Sequence, residues 1–169
     1  MIITGDCREQ TTIWETPQSF FDALNAEFNF TLDVCALPNT AKCPKYFTPE
    51  IDGLKQDWTK DIFWMNPPYG RGQDVYSWVK KAYESACEIG VCLLPASCDT
   101  KWFHEFCMRA DEIRFIKDRL WFSRNGEAKR ANHASMVVVF KLRTQIMPRI
   151  SSISNCRKVV APAGNGYNG

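Results

Sequence analysis

Residues 63–70 read Phe-Trp-Met-Asn-Pro-Pro-Tyr-Gly, an apolar run that ends in two consecutive prolines. A short apolar run of this kind predicts a buried strand. Proline has no N–H to donate to a neighbouring strand and its φ angle is restricted, so the chain has to leave the sheet at Pro67 and Pro68. The sequence therefore predicts a rigid turn at the end of a strand, carrying the side chains of Asn66 and Tyr69.

This turn offers an amide, a backbone carbonyl and an aromatic ring, which together suit a planar ligand that bears an amino group. In open α/β sheets, ligands bind outside the carboxyl ends of the strands, where this turn is expected to lie. A turn with a tyrosine packed for structural reasons is the alternative interpretation. The position of the turn, after an apolar strand and within alternating helices and strands, favours a catalytic site.

Segments with strand and helix periodicity alternate along most of the chain, which predicts a three-layer αβα fold with a mainly parallel sheet. Thr16 is expected to cap a first helix with Pro17 in its first position, and the helical spacing of Phe20, Phe21, Leu24 and Phe28 gives this helix one apolar face. Strands are predicted near residues 28–36, 91–94, 113–116 and 136–140, and in the apolar run from Phe63 that ends at the Asn-Pro-Pro-Tyr turn. Residues 37–61 and 121–133 are predicted to be loops.

The composition is that of an ordinary globular chain of 169 residues, with 45% hydrophobic and 24% charged residues. We expect one domain over residues 1–147 and a weakly structured C-terminal tail over residues 148–169. No run approaches the roughly 18 apolar residues of a membrane span, and the N-terminus lacks a signal-peptide pattern, so a cytoplasmic location is expected. A net charge of +2 requires any nucleic-acid contact to rely on local basic surface.

The eight cysteines include no Cys-x-x-Cys pair, and the chain has only two histidines. Structural zinc sites usually show paired ligands at close spacing. We therefore expect no metal site and mostly buried, reduced thiols that pack as small hydrophobic groups.

Several further pieces occur in a fixed order around the turn. They are Trp14-Glu15-Thr16-Pro17, Leu32-Asp33-Val34-Cys35-Ala36, Asp52-Gly53-Leu54 with Asp57-Trp58, Leu94-Pro95-Ala96, Asp99-Thr100-Lys101-Trp102-Phe103-His104 and Arg119-Leu120-Trp121-Phe122. With these pieces the chain resembles, over residues 14–141, the bacteriophage and prophage DNA adenine N6-methyltransferase family, called phage Dam.

The resemblance implies a Rossmann-like methyltransferase that transfers a methyl group from S-adenosylmethionine to the N6 amine of a flipped-out adenine at specific sites in DNA. Asn66, Pro67, Pro68 and Tyr69 would be catalytic and would hold the target base. The implied cofactor-binding residues are Trp14, Thr16 and Pro17 near the methionine part, Asp33 and Ala36 beneath it, Asp57 at the adenine or ribose, and Asn66.

Methylating such an amine requires its lone pair to leave conjugation with the ring. Two fixed acceptors, the side-chain oxygen of Asn66 and the carbonyl of Pro67, can each take one N–H and hold the amine out of plane. Tyr69 can stack on the base, an interaction worth roughly 1–3 kcal/mol. The transfer then depends mainly on alignment with an already activated methyl group.

Three positions depart from the pattern of the family. The Gly-x-Gly usual after the first strand of methyltransferases is absent, and Ala36 is the small residue there. Many adenine methyltransferases carry Asp at the position of Asn66. Asp118 stands where a glycine is expected before Arg119.

Without a large insertion for target recognition, sequence reading is assigned to short loops, and Arg71, Arg119, Arg124, Lys129 and Arg130 are the candidate DNA contacts. A solvated charged loop is the alternative for the last three. The expected partner is double-stranded DNA, with no membrane, no obligatory protein partner and a monomeric state. A phage or prophage gene expressed in a bacterial host is implied.

Three other functions are considered from the sequence. Cytosine N4 methylation uses the same chemistry at a slightly different turn. Glutamine N5-methyltransferases of release factors share the Asn-Pro-Pro-Tyr tetrapeptide but carry the glycine-rich motif that is missing here. A catalytically inactive DNA-binding module is the third, and the intact turn from Asn66 to Tyr69 argues against it.

Overall fold

The computed structural model describes residues 14–69, 74–86, 88–124, 126–141 and 149–154. The α-helices are α1 (Gln18–Phe28), α2 (Val75–Ser85) and α3 (Lys101–Glu105), and short 3-10 helices lie at Gly53–Lys55 and Cys107–Arg109. The strands are β1 (Leu32–Asp33), β2 (Lys45–Tyr46), β3 (Phe63–Met65), β4 (Ile89–Pro95), β5 (Glu112–Lys117), β6 (Trp121–Arg124), β7 (Glu127–Arg130), β8 (Ser135–Lys141) and β9 (Arg149–Ser154).

Seven of these strands form one sheet in the order β2-β1-β3-β4-β8-β5-β9. Strands β2, β1, β3 and β4 are parallel neighbours, and β9 runs parallel to β5. Strand β8 is antiparallel to both of its neighbours, β4 and β5. The prediction of a mainly parallel sheet is confirmed, and β8 is the exception within it.

Helices cover both faces of this sheet. In β3, Phe63 and Met65 belong to one core cluster and Trp64 belongs to the other, because successive side chains of a strand point to opposite faces. Helices α2 and α3 pack into the first cluster, whereas α1 packs into the second. The apolar strands are therefore buried on both sides, which explains why they read as continuous hydrophobic runs.

Helix α1 forms because one of its faces is apolar, and it buries Phe20, Phe21, Leu24 and Phe28. The expectation that Thr16 caps this helix is wrong. The helix begins at Gln18, Pro17 occupies the N-cap position, and no side chain caps the helix. The hydroxyl of Thr16 makes a different hydrogen bond, which is described with the site below.

The basic segment that was expected to be a loop contains a β-hairpin. Strands β6 and β7 are antiparallel, with Trp121 opposite Arg130 and Arg124 opposite Glu127. Gly126 has a φ angle of 83° in the connection, a conformation that glycine adopts at little cost. Asp118, which stands in place of the glycine expected before the hairpin, also has a positive φ of 67°.

The structure corrects the expectation for the start of the C-terminal tail. Residues 149–154 form β9, which pairs along its whole length with β5. Its sequence, Arg-Ile-Ser-Ser-Ile-Ser, contains few apolar residues, as an edge strand with less buried surface allows. Residues 155–169 lie outside the described part of the chain. None of the described helices is long and apolar enough to cross a membrane.

Candidate active site

The candidate site lies at the edge of the sheet where the parallel strands end. Asn66 directly follows β3, and the segment from Val34 to Ala36 directly follows the neighbouring strand β1. Ser135 begins the antiparallel strand β8 at the same edge, because it pairs with Pro95 at the end of β4. The sheet order thus brings three distant parts of the sequence to one place.

Asn66 is held by residues that precede helix α1. Its side-chain nitrogen Nδ2 donates to the carbonyl oxygen of Trp14 at 2.9 Å and to the hydroxyl oxygen of Thr16 at 3.1 Å. Its backbone N–H donates to the sulfur of Cys35, a thiol whose pKa is raised by burial. Among the described residues, Oδ1 of Asn66 is the buried side-chain oxygen or nitrogen atom that has no hydrogen-bond partner.

An unpartnered acceptor of this kind lowers the stability of the fold, because a buried polar oxygen has lost its hydrogen bonds to water without gaining a donor in the protein. Such an atom fits a ligand that brings its own N–H. The sequence analysis assigned the side-chain oxygen of Asn66 to the target amine. In the structure, this is the oxygen that has no hydrogen-bond partner among the described residues.

A first cavity of about 190 Å³ lies beside Asn66. Its walls come from the ends of β1 and β3, from the chain that follows β2, and from helix α2. The lining residues are Trp14, Val34, Cys35, Ala36, Phe47, Thr48, Pro49, Asp52, Gly53, Asn66, Pro67, Pro68, Tyr69 and Trp78. The structure therefore brings the predicted cofactor residues Trp14, Ala36 and Asn66 together at one cavity.

Gly53 lets the connection between β2 and β3 pack closely against the end of β1 and against helix α2. A Cβ atom at this position would lie 2.2 Å from the carbonyl oxygen of Val34 and 3.2 Å from the ring of Trp78. The carbonyl of Gly53 also accepts a hydrogen bond of 2.8 Å from the indole N–H of Trp58. The connection between β2 and β3 therefore contributes Gly53 to the wall of the first cavity.

Asp33 is buried, with 3% of its surface exposed, and it does not line the first cavity. Its carboxylate accepts backbone N–H groups from Cys35 at 3.3 Å and from Lys42 at 3.1 Å. Burial raises the pKa of this carboxyl to about 6, although the two hydrogen bonds and the charge of Lys42 oppose the shift. Asp33 borders a small cavity of about 20 Å³ together with Thr16 and Asn66.

Four of the predicted cofactor residues, Thr16, Pro17, Asp33 and Asp57, do not line the first cavity, and Thr16 and Asp33 border the small cavity instead. Asp57 is exposed, and its carboxylate accepts from the backbone N–H and the hydroxyl of Thr59 at 2.9 and 2.6 Å. Pro17 serves helix α1, where its carbonyl accepts the N–H of Phe21 at 3.1 Å. Asp52 is the carboxylate that lines the cavity, and sequence reasoning overlooked it although Asp52-Gly53-Leu54 is one of the recognised pieces.

A second cavity of about 440 Å³ adjoins the first, and both are lined by Trp14 and Tyr69. The hydroxyl of Tyr69 donates to the carbonyl of Leu93, and its ring meets the ring of His133 edge to face at 6.0 Å. The remaining lining residues are Val75, Pro95, Ser97, Thr100, Trp102, Phe122, Lys129, Arg130, Ala131 and Asn132. Tyr69 therefore lines both cavities, of which the first lies at the ends of β1 and β3 and the second lies against the β6–β7 hairpin.

The predicted DNA-binding residues are only partly gathered there. Lys129 and Arg130 line the second cavity, and the ammonium of Lys129 lies 5.9 Å from the ring centre of Trp14. The guanidinium of Arg119 donates to the carbonyl of Ala131 at 3.4 Å, which holds it against the hairpin. The backbone of Arg124 belongs to β6, but its side chain is outside the described set, and Arg71 is outside it entirely.

Within the described ranges, no group of three or more histidine, cysteine, aspartate or glutamate side chains could hold a metal ion. Five described cysteines are free thiols, and Cys43, Cys92 and Cys107 among them are buried. The polar chemistry that the structure displays at this edge therefore comes from amides, carbonyls, hydroxyls and carboxylates.

The chain is similar in sequence to known DNA adenine methyltransferases. The sequence profile of the family described as DNA N-6-adenine-methyltransferase (Dam) matches residues 5–165. The DNA N-6-adenine-methyltransferase of Haemophilus phage HP1 is 34% identical over 139 residues, which cover 76% of this chain and 78% of the relative. The protein of the same name from Escherichia phage T1 is 36% identical over 110 residues, covering 62% of this chain and 44% of the relative.

These matches confirm the family resemblance and, with it, the predicted function of an adenine N6 DNA methyltransferase. The unpartnered oxygen of Asn66 and the paired cavities lie within the matched residues. The chain belongs to the DNA N-6-adenine-methyltransferase (Dam) family.

Proposed function

We propose that this protein binds S-adenosylmethionine in the first cavity and methylates the N6 amine of an adenine that enters from the side of the second cavity. The vacant Oδ1 of Asn66 is the observation that carries this proposal. The helices on both faces of the mainly parallel sheet support a Rossmann-like, three-layer arrangement. A single methyltransferase domain acting as a monomer on duplex DNA is part of the proposal.

The residues of the first cavity fit the proposed cofactor. Ala36 is a small side chain at the end of β1, Trp14 and Phe47 offer apolar contact, and Asp52 can accept hydrogen bonds from ribose hydroxyls or an amino group. The cofactor supplies a methyl group on a positively charged sulfur, which is already activated for transfer.

The chain's own part in the reaction is to hold the amine. Oδ1 of Asn66 accepts one N–H of the adenine amine, and the carbonyl of Pro67 accepts the other, so that the nitrogen lone pair turns away from the ring. The methylated amine then releases a proton and regains conjugation. Correct alignment of the two reacting atoms supplies most of the acceleration.

Tyr69 gives the base a surface to stack on. Its hydroxyl is anchored on Leu93, which limits rotation of the ring, and the ring faces both cavities. Extruding a base from a duplex costs a few kcal/mol, and stacking on an aromatic ring recovers roughly 1–3 kcal/mol. Lys129 and Arg130 stand at the same cavity, where they can contact the phosphates that flank the extruded nucleotide.

The test uses S-adenosylmethionine labelled on its methyl group and a long duplex DNA of mixed sequence that lacks N6-methyladenine. We expect the label in N6-methyladenine after the DNA is digested to nucleosides. Label in N4-methylcytosine, or in a protein glutamine of an added release factor, would overturn the assigned substrate. The absence of any transfer, with cofactor bound, would support the inactive DNA-binding module.

Asn66→Ala tests the mechanism. We expect transfer to be lost while S-adenosylmethionine still binds, because the acceptor for the amine is removed and most of the first cavity remains. Asn25→Ala is a matched control, since Asn25 Oδ1 accepts the backbone N–H of Phe30 at 2.8 Å near the end of α1, away from the cavities. Full transfer by Asn66→Ala would exclude the proposed role.

A further inference from the structure

We propose that the carbonyl of Trp14 and the hydroxyl of Thr16 position the amide of Asn66, so that position 66 of this protein requires an amide and not a carboxylate. This inference rests on the proposed function, in which Oδ1 of Asn66 accepts the amine. Trp14 and Thr16 are positioning residues here, because they act through Asn66 and not on the reacting nitrogen.

The hydrogen bonds determine which way the amide points. Both acceptors contact Nδ2, which has two N–H groups to give, at 2.9 Å for Trp14 and 3.1 Å for Thr16. A flipped amide would place Oδ1 against the carbonyl oxygen of Trp14, where neither atom can donate. The flipped state would also turn the N–H groups toward the substrate amine. The observed orientation is therefore the one that presents an acceptor.

The hydroxyl of Thr16 is available for this role because it does not cap helix α1. Thr16 is buried, with 2% of its surface exposed, so water does not compete for the hydrogen bond. The segment around it is itself fixed. Glu15 exchanges backbone hydrogen bonds with Ser123, and its carboxylate pairs with Lys42 at 3.0 Å. The two acceptors therefore form a rigid support for the amide.

A carboxylate at position 66 would keep the acceptor oxygen but lose both donors. One of its oxygens would then face the carbonyl of Trp14 inside a buried site, where two acceptors repel each other. Protonation relieves this conflict, because a protonated carboxyl can donate to the carbonyl. An Asn66→Asp variant should therefore be most active at low pH, where the carboxyl is neutral.

Other charged and titratable groups lie close to the side chain at position 66. Glu15, Asp33 and Lys42 border the small cavity together with Asn66, while Cys35 contacts its backbone N–H and Tyr69 lies next to it in the first cavity. Glu15 and Asp33 favour the protonated state of a new carboxyl, and Lys42 opposes it. These groups are present in both proteins, so the difference between the wild-type and variant pH profiles reports the carboxyl at position 66.

The experiment compares the wild-type protein with Thr16→Val, Thr16→Ser and Asn66→Asp. Thr31→Val is the matched control, because the hydroxyl of Thr31, like that of Thr16, accepts one N–H, but lies at the opposite end of β1. The measurements are kcat, KM for duplex DNA and the Kd of S-adenosylmethionine, between about pH 5.5 and about pH 8.5. NMR of the Asn66 side-chain amide provides a readout that does not depend on activity.

We expect Thr16→Val to lower kcat about tenfold or more with little change in KM or Kd. We expect Thr16→Ser, which keeps the hydroxyl, to have a kcat close to that of the wild type. The side-chain N–H protons of Asn66 should exchange slowly in the wild-type protein and in Thr16→Ser, and faster in Thr16→Val. Asn66→Asp should gain activity, relative to the wild type, as the pH falls. Thr31→Val should match the wild type in kcat.

An unchanged kcat and unchanged amide exchange in Thr16→Val would overturn the positioning role, as would an Asn66→Asp variant with the wild-type rate and pH profile. Both results leave the proposed function standing, because the wild type still methylates DNA. A wild-type protein that binds S-adenosylmethionine without labelling DNA would overturn the proposed function, and the positioning role would fall with it.

Discussion

Glu15 and Ser123 exchange two backbone hydrogen bonds, of 2.9 and 3.1 Å, although 108 residues separate them in the sequence. Their side chains are joined as well, since the hydroxyl of Ser123 donates to the carboxylate of Glu15 at 3.0 Å. This isolated bridge joins the β6–β7 hairpin to the segment that holds Asn66. A change at the hairpin can therefore reach the amide of Asn66 through the backbone.

Replacing Ser123 by proline should loosen this link, because proline has no N–H to donate to the carbonyl of Glu15. We expect faster hydrogen exchange of the Glu15 amide and a lower kcat in the Ser123→Pro variant. Ser123→Ala is the control, since it removes only the side-chain hydrogen bond and should keep the backbone bridge. Equal exchange rates for the Glu15 amide in the two variants would contradict a coupling through the backbone.

Gly53→Ala should weaken cofactor binding and reduce stability together. The added Cβ would lie 2.2 Å from the carbonyl oxygen of Val34, so the backbone at the cavity wall has to move, at a cost of about 1–3 kcal/mol. The measurements are the urea midpoint and the Kd of S-adenosylmethionine.

Gly90→Ala is the matched control for this substitution. Its Cβ would lie 2.1 Å from the ring of Phe63, a comparable clash within the core. Gly90 lies near the start of β4, away from the edge that carries the cavities. We expect Gly90→Ala to lose stability and to keep its cofactor affinity. An equal loss of affinity in both variants would mean that reduced stability alone explains the effect.

Asp33 should make the folded protein less stable as the pH rises. Its pKa is raised from 3.8 to about 6 in the folded state, so between these values the folded state binds more protons than the unfolded state. The free energy of unfolding contributed by this group is then greatest below about pH 4 and falls as the pH rises through about 6, by about 3 kcal/mol in all.

Asp33→Asn should remove this part of the pH dependence, because the amide does not titrate. Urea unfolding at several pH values compares the two proteins, and the difference in unfolding free energy between them should change most between about pH 4 and about pH 6. The amide still offers one acceptor oxygen to the backbone N–H groups of Cys35 or Lys42. A constant difference across this range would show that Asp33 titrates at its ordinary pKa.

Lys129→Ala and Arg130→Ala should weaken DNA binding irrespective of sequence. Each side chain that contacts a phosphate releases counterions, so its loss should reduce the salt dependence of binding by about one unit on a logarithmic plot. Lys141→Ala is the control, because Lys141 lies exposed at the far end of β8, opposite Ile89. An unchanged salt slope in the two hairpin variants would place the phosphate contacts elsewhere.

Local sequence patterns predicted the parts of the fold that depend on neighbouring residues. The apolar spacing of Phe20, Phe21, Leu24 and Phe28 predicted helix α1, and the prolines after Asn66 predicted the end of β3. The boundary between helix and strand was less certain, since the sequence placed Phe28 both on the apolar face of the helix and at the start of a strand, and in the structure Phe28 ends the helix. Strand β9 was missed because an edge strand buries too little surface to need a continuous apolar run.

Sequence alone determined the alternating helices and strands, the turn from Asn66 to Tyr69, and the family, because these depend on residue order and local backbone restrictions. Only the tertiary structure decided that Trp14 and Thr16 hold the amide of Asn66 and that its oxygen has no hydrogen-bond partner among the described residues. It also brought Asp52 and Gly53 to the first cavity while leaving Asp57 exposed. These are contacts between segments far apart in the chain, and their geometry follows from the packing of the sheet, which no local pattern encodes.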